Sequence, residues 1–410
     1  MDGQHHSNAN QMTPIERRVV AFTGVAHGLN HAVELVYGAV LVVVAIEFDV
    51  SVAALGLLGT AASISYAVAA LPAGATADRL GSQRTVALSM AGAGAAAALA
   101  AVAPNVTILG VALVLMGLLG GMYHPAGLSF ISRSVRQRAR ALGVHGAAGN
   151  LGTALAPLVA GVLAGIWSWR GAFLVFAVLS LTISVLASRS SIGAESQGQD
   201  VPKPHLRATT LLLPLALMFV INACFGFIFR GLTLFLPLHL GTNLGFDIFG
   251  FEPVVVGGAV ATVALLFGVA GQYIGGELGE RFPRERVVVP VAALTVPSLL
   301  LMAMGHGWVL LVGAILFVFF NFMAQPTSVA MISDYAAERL QGRVYGLTSL
   351  SGFGVGSLAG VAGGFISDGV GVEWVFAMLA GVASITVISG MVINAYLFFG
   401  RGHATITERD

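Results

Sequence analysis

Twelve apolar stretches run through this chain of 410 residues, each long enough to cross a bilayer core of ~30 Å at about 20 residues per helix. They fall at roughly 19–46, 52–73, 85–103, 106–130, 141–165, 171–188, 209–240, 254–278, 287–305, 308–331, 344–367 and 374–399. Backbone held in hydrocarbon must satisfy its own N–H and C=O groups within each segment, so every stretch is expected to be a helix. Composition agrees: 10% of residues are charged and 57% hydrophobic, against roughly one-quarter charged in soluble domains. Many of the 53 glycines lie inside the apolar runs, which predicts close helix packing. The fold class is therefore an all-α membrane protein of twelve transmembrane helices, numbered here as spans 1 to 12.

An even number of spans puts both termini on one side, and the basic residues say which. Of the 20 Lys and Arg, 18 lie at the N-terminus, in every second loop, or in the C-terminal tail. The opposite loops carry Glu47, Asp49, Asp247, Glu252, Asp368 and Glu373 but only one base, Arg170. By the positive-inside rule the basic side, with both termini, is cytoplasmic. Residues 1–18 are polar and lack an apolar stretch ending in a small-residue cleavage site, so span 1 is expected to act as an uncleaved anchor.

A net charge of +1 without a basic stripe excludes a nucleic-acid partner, which needs several phosphates neutralised. The single cysteine, Cys224, excludes an intrachain disulfide and a cysteine metal cluster. No paired carboxylates and no Ser, His and acid set converge in one pair of spans, which argues against an enzyme. The tails and the longest loop are too short to house a signalling domain. No cofactor is expected, and the chain is read as a monomer whose partners are lipid, protons and a small-molecule substrate.

The chain also repeats itself. Gly74-x-x-x-Asp78-Arg79-x-Gly81-x-x-Arg84 after span 2 matches Gly276-x-x-x-Glu280-Arg281-x-x-x-x-Arg286 after span 8, offset by 202 residues. Tyr123-His124-Pro125 pairs with Ala324-Gln325-Pro326 at an offset of 201, and Arg140-x-x-Gly143 with Arg343-x-x-Gly346 at 203. Three ordered matches at nearly constant offset indicate duplication, and in transporters duplication yields two halves with the site between them near the midplane. The halves read as 19–188 and 209–399, joined by a polar linker at 189–208 and flanked by tails at 1–18 and 400–410.

On these residues the chain resembles the major facilitator superfamily along its whole length. The resemblance implies alternating access between two pseudo-symmetric six-helix bundles. It also makes Gly74, Asp78, Arg79, Gly81 and Arg84 a gating loop whose acid and arginines hold the halves together on the cytoplasmic side, with Glu280 and Arg281 as its counterparts. The family usually has a base directly after Gly81, where this chain has Ser82. His27-Gly28-Leu29-Asn30, Gly121-Met122-Tyr123-His124-Pro125 and Gly146-Ala147-Ala148-Gly149-Asn150-Leu151-Gly152 further resemble the fosmidomycin-resistance branch of drug exporters. That branch implies efflux of a small, often anionic compound in exchange for protons. Gly152-x-x-x-Ala156-Pro157-x-x-x-Gly161 is similar to the antiporter motif of the superfamily, with Ala156 in place of the usual glycine.

Charges inside the bilayer cost at least ~2.5 kcal/mol each, so those that persist face a cavity or a partner. Glu34 on span 1 is the one deep acid of the first half, and Arg230 on span 7 the one deep base. Their positions along equivalent spans put them at similar depth. Arg230 is read as the ligand of an anionic substrate group and Glu34 as the acceptor of the coupling proton, the alternative being a purely structural bridge. His27, His31 and Glu34 share a face of span 1 with Asn30 nearby. His31, with His124 on span 4 and His145 on span 5, is a candidate for proton transfer, while His27 is as readily a packing residue. His124 is alternatively read as capping a carbonyl freed by Pro125. Three ligand-like groups on one helix, with no cysteine or second carboxylate, are weak grounds for a metal, and none is expected. Asn222, Asn321 and Gln325 are neutral hydrogen-bonding candidates of the second half, and Asn30, Tyr37, Tyr66 and Tyr123 complete the expected lining. The reading is a proton-coupled exporter, with an importer or facilitator of an organic anion as the alternative.

Overall fold

The computed structural model describes residues 12–50, 52–189, 192, 211–245 and 253–407. The first helix, α1 (Pro14–Phe48), starts on a reciprocal capping box. The Glu16 amide donates to the Thr13 hydroxyl and the Glu16 carboxylate accepts from the Thr13 amide, with Pro14 at the first helical position, where its missing N–H costs nothing. It ends at Asp49, which takes the left-handed conformation at φ 50°.

The remaining helices are α2 (Val52–Leu80), α3 (Ser82–Ala101), α4 (Val106–Gly120), α5 (Tyr123–Ser134), α6 (Arg138–Ile166) and α7 (Trp169–Arg189), then α8 (Leu212–Asn243), α9 (Pro253–Arg281), α10 (Arg284–Met304), α11 (Gly307–Tyr335), α12 (Gln341–Gly356), α13 (Leu358–Val370) and α14 (Glu373–Thr407). Among the described residues, twelve segments are long and apolar enough to cross a membrane. Span 4 is α4 followed by α5, and span 11 is α12 followed by α13. The molecule is thus an all-helical, multi-pass membrane protein. Helices run past the apolar stretches at the basic side, as in α1 and α2, because their polar end turns keep helical hydrogen bonds and find side-chain partners.

Span 4 breaks at Gly121 and Met122 for two local reasons. Pro125 has no N–H for the Gly121 carbonyl, and Gly121 lies against the backbone of Tyr66, where a Cβ would not fit. The turn between α2 and α3 needs Gly81, whose φ is +91°. The linker expected at 189–208 and the acids Asp247 and Glu252 fall outside the described residues, apart from Arg189 and position 192. The C-terminal segment expected as a tail from 400 continues α14 as far as Thr407.

The two largest clusters of buried apolar residues lie within spans 1 to 6, around Val36, Leu113 and Phe173, and within spans 7 to 12, around Leu232, Phe317 and Phe376. The outer surface stays apolar, with Leu57, Leu186, Met304 and Phe365 well exposed. A soluble monomer rarely shows so much apolar surface; lipid covers it here. Arg170, the one base on the acidic side, is ion-paired with Glu47 and sits 4.2 Å over the Trp169 ring, so its charge is largely neutralised where it lies.

Candidate functional site

Span 1 carries the polar stripe. Because residues three and four apart share a helix face, His27, His31 and Glu34 line one side of α1, and the structure joins them into a continuous chain. Arg230 Nη2 of α8 donates to Glu34 Oε1 at 3.3 Å, an ion pair between the first and last six spans. His31 Nδ1 lies 3.4 Å from the other oxygen of Glu34, and His31 Nε2 lies 3.1 Å from His27 Nε2. His27 Nδ1 reaches the backbone carbonyl of His145 at 2.9 Å.

His27 stands at the hub of the group, which its position along span 1 did not reveal. Its ring stacks on His145 with centroids 4.1 Å apart and on Tyr123 at 5.6 Å, while His124 meets it edge-on at 5.0 Å. Gly149 of α6 lies directly against the His27 ring, and Gly152 against the backbone of Gly28. The glycines of span 5 therefore bring α6 close enough to α1 for the rings to stack. Gly161 has open space around it, so the packing role stops short of it. His124 does not cap a carbonyl: its Nε2 is buried with no partner, and the ring turns into the cluster beside Phe353 at 5.2 Å.

Two cavities meet at Arg230. One of about 200 Å³, toward the basic side, is lined by His27, His31, His124, His145, Asn222, Gln272 and Gln325. The other, of about 580 Å³, extends toward the acidic side past Asn30, Glu34, Tyr37, Tyr66 and Gly360. Arg230 lines both. Asn30 donates to the Tyr66 hydroxyl at 2.7 Å, and Tyr37 donates to the Leu55 carbonyl at 2.8 Å. Asn222 donates to the Thr348 carbonyl at 2.5 Å, and Gln325 accepts from Gln272 at 3.2 Å.

Two expected lining residues reach neither cavity. Tyr123 is fully buried with its hydroxyl donated to the Thr23 carbonyl, and Asn321 is 1% exposed inside the core. A helix has an inner and a buried lateral face, and spacing alone did not say which face these two occupy. Tyr66 and Tyr37 do reach the wider cavity as expected, and Gln272 and Phe353, which were not expected, line the cavities too. Gln272 carried a signal, a lone amide in an apolar run; Phe353 carried none.

At the basic side the halves touch through two matching contacts. Asp78, at the end of α2, accepts from the amides of Gly342 and Arg343 at 2.9 and 3.0 Å, in the first turn of α12, and is ion-paired with Arg133. A carboxylate there meets unpaired N–H groups and the positive end of the helix dipole. Glu280 likewise accepts from the Ala139 amide in the first turn of α6, at 2.6 Å. Gly74 with Gly342, and Gly143 with Gly276, let the backbones approach where no Cβ would fit. Arg79 and Arg84 are exposed and ion-pair with no described residue; Arg133 and Arg343 stand beside Asp78 instead, and Arg343 is 3.8 Å away. Arg281 pairs with Glu277 on its own helix at 3.6 Å, and Glu277 also pairs with Arg140 across the halves. Arg133 was legible only as one base among several in its loop.

The comparisons agree with this architecture. The family description "Major Facilitator Superfamily" matches residues 21–350 and again 218–409. A probable L-galactonate transporter of Escherichia coli K12 is 26% identical over 141 residues, 34% of this chain. The chain spans only 31% of that protein's length. The class C tetracycline resistance protein of Escherichia coli is 26% identical over 296 residues, covering 68% of this chain and 72% of that one. Among solved structures, the human organic anion transporter MFSD10 (TETRAN) superposes with a TM-score of 0.72 at 19% identity, over 92% of this chain and 100% of that one.

Proposed function

The chain belongs to the Major Facilitator Superfamily, and from that premise we propose that this transporter exports a small anionic organic compound in exchange for protons. The observation that carries the proposal is the Glu34 to Arg230 ion pair at 3.3 Å, which joins the two sets of six spans at the wall shared by both cavities. Arg230 offers a forked, permanently charged donor set suited to a carboxylate, phosphonate or sulfonate. The pair is broken in either of two ways: an anion on Arg230 displaces the ionised Glu34 toward His31, or a proton on Glu34 removes its charge, with His31, His124 and His145 beside it as relay groups. The anion-loaded form carries the outward leg and the protonated, anion-free form the return leg, each closing again on the Glu34 to Arg230 pair, so substrate and proton alternate at one place.

The two six-helix halves, 19–188 and 209–399, move against one another as bodies in this reading. The Asp78 and Glu280 contacts are the closed gate on the basic side, and the wider cavity beyond Glu34 is the open path on the other. With the basic side cytoplasmic, as in the inner membrane of a prokaryote, this is the outward-facing state of a monomer. Resemblance of the span 1, 4 and 5 motifs to the fosmidomycin-resistance branch, together with the tetracycline resistance relative, supports efflux over import. Inverted vesicles loaded with a pH-sensitive dye test the proposal. A transported anion releases protons in the wild type, Arg230→Ala abolishes both the flux and the dye response, and Glu34→Gln leaves downhill flux but uncouples it from protons. Full proton-coupled transport by Glu34→Gln would overturn the role given to that carboxylate.

A further inference from the structure

The distances within the histidine cluster fix its tautomers, and the tautomers leave a conflict that a positive ion must resolve. A backbone carbonyl only accepts, so His27 Nδ1, 2.9 Å from the His145 carbonyl, carries the hydrogen. Glu34 is an ionised acceptor through its pair with Arg230, so His31 Nδ1, 3.4 Å from Glu34, carries its hydrogen too. Both Nε2 atoms are then bare lone pairs, and they face each other at 3.1 Å. Two lone pairs do not rest at hydrogen-bond distance with nothing between them.

A third imidazole points to what the gap is for. One ring nitrogen each of His27, His31 and His124 can be chosen so that all lie within 4.8 Å of one another. His124 Nε2 is buried with no hydrogen-bond partner. Metal-binding imidazoles characteristically donate the other ring N–H to a carbonyl or carboxylate, which sets the tautomer and aims the ring; His27 and His31 do both. Three neutral nitrogens leave a further position facing the cavity of about 200 Å³, as in zinc sites that exchange a ligand. Counting ligands along span 1 alone missed this, because His124 arrives from span 4. We propose that His27, His31 and His124 form a binding site for a divalent first-row transition ion of the zinc class, with Glu34 and the His145 carbonyl positioning two of the rings. Imidazole donors suit zinc, copper and nickel and are poor ligands for magnesium or calcium.

The ion and a relayed proton compete for the same imidazole lone pairs, so the metal-loaded site is a state apart from the proposed exchange, and the test is binding at equilibrium, which needs no transport. Untagged full-length protein in detergent, with His5 and His6 replaced by alanine to remove the terminal pair, is titrated with Co2+ and then Zn2+. The expected result is a single Co2+ equivalent with the visible absorption of a nitrogen-ligated site, displaced by Zn2+ and unmoved by Mg2+. His31→Gln and His124→Gln each weaken binding roughly 100-fold, and Glu34→Gln by about 10-fold to 100-fold through loss of ring orientation. His239→Gln, whose ring bonds the Met302 carbonyl elsewhere, leaves the affinity unchanged. No Co2+ band in the parent protein would overturn the site and leave a shared proton between His27 and His31. A band that persists at the same affinity in His31→Gln and His124→Gln would overturn it equally. Thermal melting with and without Zn2+ checks that each variant is folded.

Discussion

The two halves of the duplicated frame are built alike at the basic side, and in the middle they are not. At the basic side Asp78 caps the first turn of α12 and Glu280 caps the first turn of α6, each beside a pair of glycines in backbone contact. Midway through the membrane the likeness fails. The first six spans bring together four imidazoles and Glu34, whereas the equivalent stretches of the last six offer Arg230 and amides such as Asn222 and Gln325. His124 and Gln325 occupy matching places in the repeat, and only His124 can carry a proton. In the proposed exchange the difference teaches a division of roles: matched contacts suit a gate, since both halves must close on one another, and unlike groups suit coupling, since charge must move between them.

Substitutions can break either side of that comparison, and the largest effect belongs to the middle. Arg230→Ala leaves Glu34 without its charge partner inside the membrane, and removal of one partner from a buried pair costs about 3–5 kcal/mol. Substrate flux should fall by roughly 100-fold or more, while Asn222→Ala on the same helix changes it by only about threefold; radiolabelled uptake into inverted vesicles measures both. Next come the glycines. Gly74→Leu puts a side chain against the Gly342 carbonyl, so the basic side should fail to close, and a cysteine placed there should react with an impermeant thiol reagent in a Cys224→Ala background.

The acids of the gate should separate by a smaller margin, for a reason visible in the structure. Asp78 alone takes both amides of α12, whereas the other contact spreads its charge over Glu280, Glu277 and Asp334, which meet Ala139, Arg140 and Arg138. Asp78→Asn should slow transport about tenfold and Glu280→Gln only about two- to threefold. Equal effects would show that the two contacts share load equally.

The smallest expected effect lies outside the membrane. Glu47 is held below its usual carboxylate range, first by the Trp169 indole N–H and then by Arg170. A depressed carboxylate stabilises the fold above its unfolded value near 4.5 and loses that contribution as pH falls through the lowered one. Since Glu47 is exposed, the melting temperature of the wild type should exceed that of Glu47→Gln by only about 1 °C at neutral pH. The gap should close in acid.

Much of the frame was legible before any coordinates. Apolar length gave twelve spans, and the repeated glycine, acid and arginine spacing put Asp78 and Glu280 at matching helix ends; Asp78 does meet a helix N-terminus and an arginine. Partners across the chain were not legible. Arg133 rather than Arg79 or Arg84 pairs with Asp78, and Tyr123 and Asn321 turn away from the cavities. Helical periodicity ranks residues on one helix against each other but says nothing of which neighbour that face meets.

What the sequence by itself determined is the solvent the chain lives in, the number of crossings and the rarity of charge within them, because burying a backbone or a carboxylate in hydrocarbon has a cost no local arrangement removes. Only the tertiary structure decided that Glu34 touches Arg230 and that His27 stands at the centre of the imidazoles. Those contacts join spans 1, 4, 5 and 7, and their geometry depends on glycines that let α6 lie against α1, a distance set by packing between helices and by no pattern within one.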